Sequence, residues 1–365
     1  MSLQVTDSDS PESGPNRPVA VSSEAPAPKT AAATPATQPA TEPGSKTATE
    51  TEAAPRSTSA RRRLIGMLIV GVTLALLVEF TGLPTDPVKI FLCLLAVEVA
   101  WNSARPWRSH LGFVRDWIGV VILLVVYNFS RGYADNSVTP HITSMIHADT
   151  WLFGWATGGE IPSVWLQDHL YRPAHAQWYD VLVSFVYFSH FLAAPVVAAV
   201  LWFRNRPAWG AFVRRWFTLS ALGLVTYFIY PAMPPWLAAQ DGFLPAIVHG
   251  VATRGWYAIG MAHGGNLLNA AQLDAANLVA AMPSLHSAFA LMICLFFLPR
   301  VHKRWWPLLI AYPLAMAFSL VYAGEHYVID VLVGWAYVVV TFVAVGLAER
   351  WWRARRAART PAVPR

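Results

Sequence analysis

Charge is scarce in this chain of 365 residues. Only 13% of them are Asp, Glu, Lys or Arg, about half the usual share in a soluble globular domain. That excludes an ordinary soluble enzyme. Cysteine is nearly absent: Cys93 and Cys294 rule out a disulfide scaffold and a multi-cysteine metal site. Both lie in apolar runs, where a free cysteine behaves as a small hydrophobe. The sequence also lacks a Walker-type glycine-rich loop, an HExxH pair and any internal repeat with a period of about 20 to 50 residues. Residues 1–60 lack aromatics altogether and hold nine Pro but only four residues from Leu, Val, Ile and Phe. Such a segment buries too little apolar surface to offset its ordering entropy. It is expected to be a disordered cytoplasmic tail, and not a signal peptide, since the first long apolar run starts at Leu64.

What is abundant is apolar surface: 55% of the residues are hydrophobic, and 17 are Trp. Apolar runs occupy roughly 64–80, 88–104, 114–131, 178–203, 211–230, 284–299, 306–323 and 327–348. A helix needs about 20 residues to cross a bilayer core. The expected fold is therefore all-α, a polytopic membrane bundle of about eight crossings, with six or seven as the alternatives because Glu79 and Glu98 interrupt the first two runs. The expected organisation is the tail 1–60, two peripheral membrane helices in 61–105, a catalytic membrane core in 106–348 and a basic tail in 349–365. From Arg61 onward, eight crossings place 19 Lys and Arg residues on the inner side and four outside, namely Lys89, Arg131, Arg172 and Arg254. That asymmetry predicts cytoplasmic termini. It also accounts for the net charge of +6 without a nucleic-acid partner. Two outer segments are long, 132–177 and 231–283. The first reads as short amphipathic helices in the membrane interface, rich in Trp. The second opens with Pro231, Pro234 and Pro235, which end the preceding helix.

This topology brings polar groups to one side of the membrane. The helix from 114 ends at Asn128 and Arg131. The helix from 284 starts at Pro283-Ser284-Leu285-His286, with Ser284 near its cap. The last helix starts at Gly324-Glu325-His326-Tyr327-Val328-Ile329-Asp330. The i, i+4 spacing of His326 and Asp330 places them one turn apart on a helix face, where a carboxylate accepting the imidazole N–H leaves the other nitrogen free to attack. A helix N-terminus at Ser284 favours an anion, and the fork of Arg131 suits a phosphate. Each feature also has a structural reading: a satisfied His–Asp pair, a capped helix with an interfacial His, a snorkelling Arg. Together they point to phosphoryl transfer through a phosphohistidine. A metal held by His286, His326 and Asp330 lacks a fourth evident ligand, so neither metal nor cofactor is expected. His190 is read as a helix-packing hydrogen bonder below the cluster. Glu325 is set aside as facing elsewhere, and His249 and His263 are candidate entrance residues.

Pro283-Ser284-Leu285-His286, followed by His326-Tyr327-Val328-Ile329-Asp330, resembles the type 2 phosphatidic acid phosphatase superfamily. Within it, Arg131-Gly132, the stretch Tyr230-Pro231-Ala232-Met233-Pro234-Pro235-Trp236 and Gly334 resemble the inositol-phosphorylceramide-synthase-like, aureobasidin-resistance branch. The resemblance spans about 110–348. It implies that His326 is the nucleophile, Asp330 its orienting carboxylate, His286 the general acid, and Ser284 with adjacent N–H groups a phosphate binder, without a metal. The chain departs from the family where an Arg often lies six residues before the nucleophile; Leu320 stands there, behind a matching Ser319. The first motif's Lys and Arg-Pro are also missing, and Arg131 is the cation available in their place. These departures favour the transferase-like branch.

The expected protein is an integral membrane enzyme, with its site on the extracytoplasmic side. It cleaves a phospholipid or other lipid phosphate through a phosphohistidine and passes the phosphoryl or phospho-headgroup to an alcohol. Transfer to water, as in a lipid phosphate phosphatase, is the alternative. A non-enzymatic lipid-binding or transport protein is the second, against which stands the lack of paired broken helices.

Overall fold

Backbone N–H and C=O groups that leave water must be satisfied within the chain, and a helix does so within a single segment. Each of the eight apolar runs accordingly forms a helix. The structure is a computed structural model that describes residues 56–84, 86–137, 139–244, 250–275 and 278–359. The tail up to residue 55, the side chain of Arg131 and all of His249 lie outside the described residues, and so do the expectations placed on them.

In chain order the helices are α1 (Arg56–Thr81), α2 (Pro87–Trp101), α3 (Trp107–Ser137), α4 (Thr143–Thr157), α5 (Pro162–Leu170), α6 (Trp178–Arg204), α7 (Arg206–Ile229), α8 (Pro235–Gln240), α9 (Arg254–Ala258), α10 (Ala262–Ala275), α11 (Leu285–Phe297), α12 (Trp306–Tyr322) and α13 (Val328–Arg359). Among the described residues, five segments are long and apolar enough to cross a membrane: 59–81 in α1, 107–128 in α3, α6, α12 with the 3-10 turn before it, and α13. The other three runs are helical but fall short of that standard for visible reasons. α2 has 15 residues. α11 has 13. α7 has 24 but carries Arg206, Arg214 and Arg215.

Several boundaries differ from those expected. α1 already begins at Arg56, and α3 begins at Trp107 rather than 114. α13 passes through the expected boundary at 348/349 and continues to Arg359. Its last turns are rich in Ala and Arg, which favour helix, and Arg353 Nε donates back to the Glu349 carbonyl at 3.1 Å.

Large apolar side chains such as Leu68, Leu192, Ile229, Leu308 and Leu347 are exposed on the outer faces. Contiguous apolar surface of this kind marks a membrane-facing protein. α1 is peripheral, with none of its apolar window buried, and it packs along α2. The central core joins α3, α6, α7, α11 and α13 through Phe113, Trp202, Phe212, Met292, Phe296 and Val338. At one end of the bundle, charges tie the helices together. Asp116 meets Arg206 and the Trp202 indole, and Glu349 meets Arg214 at 2.6 Å and Arg215 at 3.2 Å.

The opposite end is closed by the two long connecting segments. The first forms α4 and α5, whose Trp151 and Trp155 are almost fully exposed. The second runs through α8, α9 and α10. Ala232 joins these segments by bridging to His141 and Ala280. Arg254 is held by the buried Asp180 at 3.6 Å, so this Arg serves to dock α9 on α6. A third core, including Met145, Val164, Ala232, Ala238 and Tyr327, lies beneath this cap.

Candidate active site

Three stretches converge under the cap: the start of α11, the turn 324–327 and the start of α13. Gly324 adopts φ 71°, a left-handed conformation that glycine reaches without steric cost. It lets the chain reverse between α12 and α13. The N–H groups of Glu325 and His326 then fold back onto the Leu320 carbonyl at 3.0 and 3.4 Å. Leu320 is fully buried, so the position that often carries a cation in the family is filled by core packing.

His326 therefore lies in the turn, two residues before α13 begins, and not on the helix face that its spacing suggested. Its Nδ1 lies 2.8 Å from the Ala281 carbonyl and 3.5 Å from Asp330 Oδ2. A carbonyl can only accept, so Nδ1 carries the proton and Nε2 keeps its lone pair. Ala281 is itself pinned, since its N–H donates to the Ala232 carbonyl at 3.0 Å. The tautomer is thus set by a backbone carbonyl, with the carboxylate just beyond. Asp330 is completely buried. Its Oδ2 accepts from the Tyr327 N–H at 2.9 Å, and its Oδ1 has no hydrogen-bond partner among the described residues.

His286 stands in the first turn of α11. Its Nδ1 is 3.2 Å from His326 Nε2, and since that nitrogen accepts, His286 donates. Tyr187 stacks on the His286 ring at 5.4 Å. The closeness of α11 and α13 depends on Gly334: a Cβ there would lie 2.6 Å from the Ser284 carbonyl. Ser284 is the N-cap, with Pro283 before it rather than inside the first turn. Its Oγ accepts from the Ser287 N–H at 3.4 Å, its own N–H donates to the Asp330 carbonyl at 3.0 Å, and it is completely buried. Its side chain caps α11, its backbone N–H ties α11 to α13, and it does not line the cavity.

The cavity, about 130 Å³, is lined by His286, His326, Glu325, Gln272, Trp236, Tyr127, Tyr187 and Tyr227, with apolar neighbours. Among these described lining residues there is no Lys or Arg. A larger cavity of about 920 Å³ lies among Asp116, Arg214, Arg300 and Glu349 at the other end of the bundle, and holds none of these groups.

Three site residues escaped the sequence reading. Glu325 lines the same cavity as the two histidines and accepts from Gln272 Nε2 at 2.9 Å. Its position beside His326 was the available signal, but a helical assumption turned it away. His190 is not remote from the cluster: its ring is 4.0 Å from that of His286, and its buried Nδ1 lacks a partner among the described residues. The ring lies against His286 and Phe289. Asp149 of α4 is completely buried and accepts from the N–H groups of Val328 and Ile329 at 2.9 and 2.8 Å, capping the helix that carries Asp330. No local motif marks it.

Burial shapes the protonation of these groups. It pushes the His326 imidazole down to about 4, against the opposite pull of the Ala281 carbonyl. It raises the Glu325 carboxyl to about 7, opposed by Gln272, and the Asp149 carboxyl to about 7, opposed by its two backbone donors. At neutral pH His326 is thus an unprotonated, oriented imidazole, the form a nucleophile requires.

Residues 163–344 match the family model described as PAP2 superfamily. The chain is 24% identical over 267 residues to the phosphoinositol dihydroceramide synthase of Bacteroides thetaiotaomicron, an alignment covering 72% of this chain and 77% of that protein. It is 31% identical over 121 residues to the inositol phosphorylceramide synthase catalytic subunit AUR1 of Saccharomyces cerevisiae, covering 32% of this chain and 29% of the yeast protein. No solved structure matches the chain. The matched segment contains α6 to α13 up to residue 344, and with them both histidines, Asp330 and the part of the cap formed by α8 to α10, so the chain belongs to the PAP2 superfamily, as a membrane enzyme of lipid phosphoester chemistry.

Proposed function

We propose that this enzyme moves a phospho-headgroup, phosphoinositol first among them, from a glycerophospholipid to the hydroxyl of a ceramide-type lipid alcohol. The observation that carries this reading is the His326–His286 pair, with Nε2 of the first facing Nδ1 of the second at 3.2 Å inside the cavity. The names of the two relatives supply the substrate class.

The chemistry follows from the pair. His326 Nε2 attacks phosphorus, forming the N–P bond as the bond to the glycerolipid oxygen breaks. His286 enters as the imidazolium that an anionic phosphate stabilises, and gives its proton to the leaving oxygen. In the second half the lipid alcohol attacks phosphorus, the N–P bond breaks, and the alcohol proton passes to His286. Asp330, 3.5 Å from Nδ1, stabilises the positive charge that the phosphorylated ring carries. The resting contact between the histidines occupies the line of attack, so an entering phosphate replaces it. In this reading Ser284 sets the distance between α11 and α13, and Arg131 remains the candidate cation for the phosphate. All the chemistry rests on side chains and backbone, with no metal.

The site lies at the outer face in this reading, and the arginine-rich helix ends with both termini lie at the cytoplasmic face. Both lipid alcohols reach the cavity sideways from the bilayer. Leaving their tails in hydrocarbon avoids about 0.8 kcal/mol per CH₂. Trapping the intermediate tests the scheme. Donor lipid labelled in its phosphate should leave acid-labile, base-stable label on the wild-type chain and none on His326→Ala. Equal labelling of both would remove His326 as the nucleophile.

A further inference from the structure

A phosphatase releases phosphate, whereas a headgroup transferase keeps the headgroup attached to phosphorus through both half-reactions. While the phosphorus is bonded to His326 Nε2, the headgroup must occupy a polar part of the same cavity, away from the membrane side where the two lipid alcohols exchange. The residue beside the nucleophile supplies such a surface. Glu325 lines the cavity with His286 and His326, and its Oε1 accepts from Gln272 Nε2 at 2.9 Å. Gln272 belongs to α10, in the segment that caps the site.

We propose that Glu325 and Gln272 form a polyol subsite that holds hydroxyl groups of the transferred headgroup. This rests on the transferase reading given above. A carboxylate is a poor neighbour for an incoming phosphate, because like charges repel, and no cation among the described lining residues offsets it. Its place in the cavity is explained if it meets the uncharged end of the substrate. Gln272 also meets the Tyr187 hydroxyl, so between them the two side chains retain two acceptors: the second carboxyl oxygen and the amide carbonyl. Adjacent hydroxyls on a ring, each able to donate, match that set. Trp236, Tyr127 and Tyr227 add flat apolar faces to the same cavity, suited to the C–H faces of a cyclic polyol.

The test uses the full chain in mixed micelles with ceramide and three donors sharing the same acyl chains: phosphatidylinositol, phosphatidylcholine and headgroup-free phosphatidic acid. The wild type should show its highest kcat/KM with phosphatidylinositol. Glu325→Gln and Gln272→Leu should each cut the preference for phosphatidylinositol over phosphatidic acid about tenfold or more, the loss expected for one hydrogen bond to a charged or buried group. Two variants on different elements guard against a misfolded Glu325 variant. If both lower all donors by one factor and leave the preference unchanged, the pair is structural and the subsite is refuted. A wild-type preference for phosphatidylcholine that Glu325→Gln abolishes also overturns it, in favour of a cation site. Wild-type failure to transfer from any donor overturns the transferase reading, and the subsite with it.

Discussion

His326 and His286 are in direct contact, Nε2 to Nδ1 at 3.2 Å, although 40 residues separate them in the chain. In the proposed scheme the two rings have different parts: His326 attacks, and His286 carries the proton. An acid matters most when the leaving group is a poor one. His286→Ala should therefore slow turnover of a lipid donor by about 10² to 10⁴, and slow a donor with a nitrophenolate leaving group much less. Comparing the two kcat values checks this. Equal losses on both would show that His286 holds the site's shape and moves no proton.

The Ala281 carbonyl shares the orienting task with Asp330, which raises the question of what the carboxylate adds. It adds charge: a neutral carbonyl aligns the ring, but only an anion stabilises the phosphorylated imidazolium. Asp330→Asn should then lower kcat by roughly 10³ to 10⁴, by analogy with the serine-protease aspartate, while the helical circular dichroism persists. A loss under about tenfold would make the backbone carbonyl sufficient on its own.

Gly334 sets the approach of α13 to α11. Gly334→Ala forces its Cβ against the Ser284 carbonyl, 2.6 Å away before any shift, and should cost about 1–3 kcal/mol along with most activity. Gly346 lies on the same helix with nothing within 4 Å of its built Cβ, so Gly346→Ala should be silent or slightly stabilising. Thermal unfolding of the two variants separates steric contact from a general effect of glycine. Similar melting temperatures for both would contradict the tight helix crossing.

Asp149 links α4 to the start of α13, and its carboxyl is raised by burial from 3.8 to about 7. The folded chain therefore binds this proton more tightly than the unfolded chain. Its contribution to stability is fully present below about pH 3.8 and is lost as pH rises through about 7. Asp149→Asn should flatten that stretch of the stability profile. Asp149→Ala, which removes the cap altogether, should cost about 1–2 kcal/mol. Chemical unfolding between pH 4 and 8 measures both. An unchanged slope in the Asn variant would mean that Asp149 keeps an ordinary acidity in the fold.

Much of this was legible because membrane helices announce themselves. The apolar runs from 114 onward became helices at nearly their expected places, and the two histidine motifs fell at one end of the bundle. Three kinds of information were not legible. Helix-end geometry was one: counting His326 as helical gave it Asp330 as hydrogen-bond partner and hid Glu325, whereas the turn at Gly324 presents both His326 and Glu325 to the cavity. Long-range capping was another, since nothing local distinguishes Asp149 from any acidic residue in an amphipathic helix. Depth was the third. His190 lies in the middle of α6, well past its first turns, yet α11 brings His286 against it.

The central claim is that a phospho-headgroup passes intact between two lipids by way of His326. Phosphatidylinositol labelled in its inositol ring, incubated with the purified chain, ceramide and a strong chelator, tests it most directly. Labelled inositol phosphate should appear on the ceramide, in step with loss of labelled donor, and His326→Ala should form none. Release of the label as water-soluble inositol phosphate, with no labelled sphingolipid at saturating ceramide, would contradict the claim and mark the protein as a hydrolase.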